Sequence, residues 1–281
     1  MIPYEKYHGA GNDFVVLDAA DAAAVSDLRR FAAAVCDRER GIGADGLLVL
    51  GIHSASANGP VRVEMALYQP DGSIAEMCGN GARIVARWAA ARADATRFVI
   101  ETPAGDYPAT VHDDGTVTVG MGVPRFAPAD VPVDADAPLE DAVVGDHGLA
   151  VTAVNTGVPH AVAFVDDVTA VALETVAPSV RHAAVFPEGA NVTLASRRAD
   201  GGFDQRTYER GVEGETRACG TGAVAIAAVA HRRGWIETDE PVTVSPPGGD
   251  LVVTIEADGT ASLRGPVERE GAGELERPEA T

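Results

Sequence analysis

Residues 76–82 read EMCGNGA and residues 217–223 read RACGTGA. Each stretch sets a cysteine ahead of two glycines that flank one small polar residue, and the cysteines, Cys78 and Cys219, stand 141 positions apart. The continuations, GNGARIVARWAAARA and GTGAVAIAAVAHRRG, both read as helices that begin at the glycines. The second is apolar almost all round, which predicts burial. It closes on His231, Arg232 and Arg233 before Gly234, a charge and cap pattern suited to a helix C-terminus. Farther on, TPAGDYPATVHDDGTVTVGMG (102–122) lies beside SPPGGDLVVTIEADGTASLRG (245–265). Each holds a Pro/Gly turn, a strand, an Asp-Gly hairpin signal and a second strand. The offset drifts to 143 at Thr102 and Ser245 and 144 at Asp114 and Asp258, as expected of two diverged copies of one module.

The rest of the chain is rich in strand patterns: FVVLD, GLLVLG, VRVEMALYQ, HAVAFV, NVTLAS, FDQRTYER and PVTVS, each bounded by turn residues. Too few crossover helices separate them for a parallel βαβ fold. The pattern predicts an α+β fold of two pseudo-symmetric halves, each a mostly antiparallel sheet wrapped around a central helix. Residues 1–122 form the half carrying Cys78, with 266–281 as a possible addition, and 123–265 the half carrying Cys219. The segment 126–148 is Pro/Asp-rich, and the tail EREGAGELERPEAT is expected to be mobile. The literal GxGxxG of GIGADG (41–46) follows a helix and opens a strand, the reverse of a dinucleotide fingerprint.

Composition narrows the function classes. With 46% hydrophobic residues and no apolar run long enough to cross a bilayer, the chain reads as globular. The start, MIPYEKYHGAGND, lacks a basic and apolar leader, so the expected location is the cytoplasm. Lys+Arg 22 against Asp+Glu 42 leaves a formal charge of −20, which repels nucleic acid and anionic membranes. An acidic, arginine-biased composition without functional meaning is the plainer explanation. Adaptation to high salt, where self-repulsion is screened, is the favoured one. It predicts a melting temperature that climbs with KCl concentration; equal stability at low salt would remove it.

Three cysteines make no disulfide framework and include no CxxC pair suited to zinc, so no metal site is expected. In SDLRRFAAAVCDRERG (26–41), Ser26 can cap a helix whose apolar face holds Leu28, Phe31, Ala32, Val35 and Cys36, with Gly41 to end it. Cys36 is therefore read as a core thiol. Cys78 and Cys219 differ, because a helix N-terminus favours a thiolate and its N–H groups can grip a carboxylate. A substrate's α-carboxylate could sit against Gly79, Asn80, Gly220 and Thr221 while each sulfur looks at the neighbouring carbon. Inverting a stereocentre by proton transfer needs a base on one face and an acid on the other, and two cysteines supply both. Lys6, the sole lysine, has no supporting motif as a Schiff-base residue, which favours a cofactor-free route.

These residues resemble a known family, the diaminopimelate epimerases of lysine and cell-wall biosynthesis. The likeness runs through YHGAGNDFVVLD (7–18), GIGADG (41–46), DGSIAEMCGNGAR (71–83), GVPH (157–160), NVTLA (191–195), YERGVEGETRACGTGA (208–223) and PPGGDL (246–251). The resemblance implies a cofactor-independent isomerase in which Cys78 and Cys219 are the acid/base pair acting on L,L-2,6-diaminopimelate and its meso isomer. It implies that Asn12, Asn191, Glu209 and Arg210 hold the substrate's distal end, with Arg210 on its carboxylate, and that His160 and Glu209 assist the thiols. On the residues alone, His160 reads as a buried structural histidine, and Glu209 with Arg210 fits an ordinary ion pair beside a strand end as well as it fits a site. A homodimer is carried as a possible assembly, with a small-molecule substrate as the only other partner.

The sequence departs from the family pattern where asparagine is common. Gln69 precedes DGS, Val158 stands in GVPH, and Glu213 is an extra residue in ERGVEGET. Gln69 still offers an amide to substrate; Val158 does not, and Asn155 or Thr156 stand nearby to compensate. Proline and hydroxyproline racemases are the second reading; they share the two-cysteine chemistry and fold but typically carry histidine where this chain has Asn80, and lack the ERG…GET run. A non-catalytic binder of an anionic metabolite is the third, and binding alone does not require thiols.

Overall fold

The computed structural model describes residues 1–53 and 59–276. The chain forms two compact units, 1–119 with 265–281, and 120–264.

The first unit opens with β1 (Ile2–Gly9) and β2 (Asn12–Asp18), an antiparallel hairpin. The short α1 (Ala19–Ala22) and α2 (Leu28–Cys36) then lead to β3 (Gly46–His53), parallel to β2. β4 (Val61–Tyr68) pairs antiparallel with β3 and with the two-residue β5 (Ile74–Ala75). After α3 (Gly79–Ala90), β6 (Arg97–Thr102) lies parallel to β4. β7 (Gly105–Val111) and β8 (Val117–Gly122) continue antiparallel. The second unit repeats this order. β9 (Ala142–Val144) pairs with β10 (Leu149–Asn155), which forms a hairpin with β11 (Pro159–Phe164). A 3-10 turn at Val168–Ala170 and α4 (Leu173–Arg181) lead to β12 (Asn191–Arg197), parallel to β11. β13 (Phe203–Glu209) and β14 (Gly214–Thr216) follow antiparallel. After α5 (Gly220–Arg232), β15 (Val242–Ser245) is parallel to β13, with β16 (Leu251–Ile255) and β17 (Ala261–Gly265) antiparallel beyond it. Strand for strand, the pairings of the two units correspond. The last strand, β18 (Glu268–Leu275), pairs antiparallel with β1, the relation that β9 has to β10.

The duplicated hairpins share their turn chemistry as well. The Asp114 carboxylate accepts from both the N–H and the hydroxyl of Thr116, and Asp258 does the same for Thr260. Gly115 and Gly259 take the positive φ (82° and 85°) these turns require.

Strands such as FVVL are apolar at every position because both faces are covered. In the first unit Val15, Leu17, Leu47 and Val49 pack with Phe31, Ala32, Val35 and Cys36 of α2, while α3 lies against β1, β3, β4, β6 and β7. In the second, α4 contributes Leu173, Ala177 and Val180 to one cluster, and α5 lies against β10 to β13, β15 and β16. Every α5 residue from Gly220 to Ala230 is buried, which is why its sequence is apolar all round. Full burial of each such Val, Leu or Ile side chain contributes about 1.5–3 kcal/mol.

Three expectations need correction. Asp27, one residue later than Ser26, caps α2, its carboxylate accepting from the Arg30 N–H. The helix ends at Cys36 rather than at Gly41, which serves the turn beyond; a Cβ there would lie 2.3 Å from the Ala34 carbonyl oxygen. The tail is not mobile over 268–275, where it is β18; residues 277–281 lie outside the described residues. Among the described residues no helix is long and apolar enough to cross a membrane, and no cluster of three metal-ligating side chains occurs.

Candidate active site

Cys78 and Cys219 are each the N-cap of a helix, with extended backbone (φ −146°, ψ 116° and φ −126°, ψ 107°). This conformation swings each sulfur toward the first turn. Cys78 Sγ accepts from the Gly81 N–H at 3.3 Å, as a serine N-cap oxygen would. Gly79, Asn80, Gly220 and Thr221 occupy the positions where a helix presents N–H groups to an anion. Cys36, by contrast, is 3% exposed in the α2 core, and burial with the nearby Asp13 and Asp45 charges pushes its thiol up to about 12. It is inert at neutral pH.

Around Cys78 the sequence brings an amide chain to the helix start. Asn80, 1% exposed, donates through Nδ2 to Asn12 Oδ1 at 3.1 Å, and Asn12 Nδ2 donates to Asp45 Oδ2 at 2.5 Å. Arg38 bonds Asp45 Oδ1 (2.6 Å) and Asp13 Oδ1 (2.8 Å), and Lys6 Nζ lies 2.8 Å from Asp13. Burial and the Asp13 charge hold the Asp45 carboxyl above its ordinary range. Asp13 is held below it, because Arg38 and Lys6 outweigh its burial. Burial lowers the Lys6 amine, but bonds to Asp13 and attraction to Glu270 overcome that and raise it. An ammonium so committed is a poor Schiff-base former.

The first turn of α5 has different partners. Cys219 Sγ lies 3.4 Å from Thr221 Oγ1, and that oxygen is 3.0 Å from His160 Nε2. His160 Nδ1 meets Thr193 Oγ1 at 3.0 Å, Thr193 meets Thr207, and Gln205 Nε2 donates to both Thr207 Oγ1 and the Cys219 carbonyl. The loop of contacts closes on the residue where it began. Gly222 makes room for it, since a Cβ there would stand 2.6 Å from Gln205 Nε2. Complete burial, with the Arg210 charge adding to it, lowers His160 to about 3, so the imidazole is neutral and hydrogen-bonded through both nitrogens.

The predicted distal residues of this unit also gather. Asn191 Oδ1 accepts from the Arg210 N–H at 2.7 Å, and its Nδ2 is 3.4 Å from His160 Nε2. Arg210 Nη1 donates to the Glu188 carbonyl at 3.3 Å, and Glu209 Oε1 accepts from the Thr216 hydroxyl. The inserted Glu213 adopts φ 54° and accepts from Arg181 Nη2 at 2.8 Å, which anchors the ERGVEGET turn. Gln69 Oε1 accepts from Ser73 Oγ at 2.8 Å within its own turn, and Val158 is half-buried. Of the two residues near Val158, Asn155 accepts from the Gly157 N–H and donates to the Asp130 carbonyl, and the Thr156 hydroxyl donates to the Thr221 carbonyl. Asp45 and Arg83, neither of them among the expected site residues, bond Asn12 and Asn80, and both lie inside motifs quoted above.

The family model for diaminopimelate epimerase matches residues 4–127 and 152–270. A diaminopimelate epimerase of Methanothrix thermoacetophila is 41% identical over 273 residues, 95% of this chain and 93% of the relative. An O-ureido-serine racemase of Streptomyces lavendulae is 40% identical, covering 90% of this chain and 88% of its own. Among solved structures, a hydroxyproline epimerase from Agrobacterium vitis superposes with a TM-score of 0.65 at 17% identity, over 98% of this chain and 90% of that one. At that identity the likeness speaks for the fold alone.

Proposed function

The chain belongs to the diaminopimelate epimerase family, and from that premise we propose that it interconverts L,L- and meso-2,6-diaminopimelate by two-thiol proton transfer without a cofactor. One sulfur, as thiolate, removes the α-hydrogen; the other, as thiol, delivers a proton to the opposite face. The N–H groups at the starts of α3 and α5 hold the α-carboxylate and stabilise the carbanion that develops beside it. Asn12, Gln69, Asn191, Glu209 and Arg210 receive the distal end, and the enzyme works in the cytoplasm on a small molecule. The observation that carries this reading is the twofold occurrence of a cysteine N-cap on a glycine-opened helix within a family-wide match.

The neutral His160 and Thr221 assist Cys219 by relaying and orienting its proton. Thr221→Val keeps the volume but strips the hydroxyl shared by Cys219 and His160. It should cost about 1–3 kcal/mol in stability, from the buried imidazole nitrogen, and roughly tenfold in turnover. Thermal denaturation and steady-state rates check both.

Incubation of the pure protein with L,L-diaminopimelate and separately with L-proline, under reductant, tests the substrate. Chiral analysis should show meso product from the first and no change in the second. Racemised proline with unchanged diaminopimelate would overturn the assignment. O-Ureido-serine belongs in the same trial, because Val158 removes an amide from the distal end and one close relative carries that substrate in its name.

A further inference from the structure

Arg83 has no task in the scheme above, yet it is completely buried at the start of α3. Its side chain folds back beneath the first turn. Nη2 donates to Asn80 Oδ1 at 2.7 Å, Nη1 reaches the Gly79 carbonyl at 3.4 Å, and Nε meets no acceptor among the described residues. A guanidinium buried on amide and carbonyl oxygens alone is costly unless an anion compensates it. Desolvation lowers it to about 10, so it is still a cation at neutral pH, and it is bonded to Gly79 and Asn80, the two residues that follow the N-cap Cys78 in the same first turn.

The second unit lacks this arrangement. Five residues after Cys219, where the first copy has Arg83, stands Val224, also fully buried. The polar neighbour there is the neutral His160, reached through Thr221. We propose that Arg83 is a positioning residue that keeps Cys78 as the thiolate of the resting enzyme while Cys219 rests as the thiol. The proposal rests on the two-thiol reading and adds to it an order: the two directions of epimerisation start from resting forms of unequal population, and Arg83 sets the inequality.

The other charged groups around α3 do not reproduce this effect. On β1, Glu5 is paired with Arg92 and Arg269, Lys6 with Asp13 and Glu270, and His8 with Glu268; Tyr7 is pushed upward by its burial and so stays neutral. Asp13 and Asp45, one amide beyond Asn80, are balanced by Arg38 and Lys6. On β3, β4, β6 and β7, His53, Arg62, Glu64, Glu101 and Asp106 form a surface cluster, and Arg97 is exposed. Glu76, two residues before Cys78, is exposed. In the second unit the cation that acts on His160 is Arg210, half-buried and adjacent in sequence to the opposite charge of Glu209; Arg217 is exposed. Among the described residues Arg83 is the one fully buried Lys or Arg, and it is held at the helix start that Cys78 caps.

The test is alkylation of the full-length protein by iodoacetamide across a pH series, with each cysteine followed separately by mass spectrometry. In the wild type, the Cys78 midpoint should fall below the Cys219 midpoint and below the ordinary thiol value of about 8.5. Arg83→Met should raise the Cys78 midpoint by about one unit, a roughly tenfold slower reaction at any pH below it, and leave the Cys219 midpoint in place. Arg83→Lys, which retains the charge, should keep the low midpoint. A wild-type Cys219 that ionises at or below the pH of Cys78, or a Cys78 midpoint unmoved in Arg83→Met, would overturn the proposal. So would a raised midpoint in Arg83→Lys, the variant that decides if the methionine form does not fold. These midpoints need no substrate, so they stand or fall apart from the chiral assay.

Discussion

Replacing Cys78 or Cys219 by serine should lower turnover by about 10²- to 10⁴-fold, the range general acid–base groups contribute, while the folded state is unharmed. Cys78 is an N-cap whose sulfur accepts from the Gly81 N–H, and serine is among the favoured residues for that post. Cys219 sits 3.4 Å from the Thr221 hydroxyl, a contact that a serine hydroxyl can also make. Stability therefore stays level or rises as activity collapses, because an alcohol is far too weak an acid to shuttle the proton. Calorimetric binding of L,L-diaminopimelate should change little. Wild-type turnover in either variant would contradict the assignment of that residue.

The second large effect belongs to Arg210. Its backbone N–H is fixed by Asn191 and its guanidinium by the Glu188 carbonyl, which aims a planar fork from a short turn stapled by Glu213 and Arg181. Charge-assisted bonds to a carboxylate contribute about 1.5–3 kcal/mol each. Arg210→Met should lower kcat/KM on diaminopimelate roughly ten- to hundredfold, mainly through KM. Arg210→Lys should recover part of the loss, since it restores charge without the fork. A KM within twofold of wild type in the methionine variant would remove Arg210 from the distal carboxylate.

The duplication could be read from the chain because its signals are local. A cysteine before Gly-polar-Gly-Ala marks a helix start, Asp-Gly marks a hairpin, and both recur at nearly constant offset. The strands were equally plain, since covered faces fill FVVLD and NVTLA mostly with apolar residues. Features set by distant partners were not legible. β18 is mostly Glu, Gly and Ala and looks like a loose tail until β1 pairs with it. α4 holds Pro178, a residue that argues against helix, yet Leu173, Ala177 and Val180 share one buried face. Nothing in the sequence around Arg83 tells that it is buried; the fold shows its guanidinium bonded to Asn80 and the Gly79 carbonyl at the start of α3. Asp45 sat in a glycine motif dismissed as a decoy, and that dismissal, correct for dinucleotides, hid a carboxylate that positions Asn12.

Two-thiol inversion makes one demand that no single-base mechanism shares: the incoming proton must come from solvent through a different group from the one that removed the substrate hydrogen. With L,L-diaminopimelate in D2O under reductant, meso product collected in the first few per cent of reaction should carry one deuterium at the inverted α-carbon, while the L,L-diaminopimelate recovered alongside it remains fully protiated. Product that retains the substrate's own hydrogen, or recovered substrate that exchanges ahead of inversion, would contradict the account.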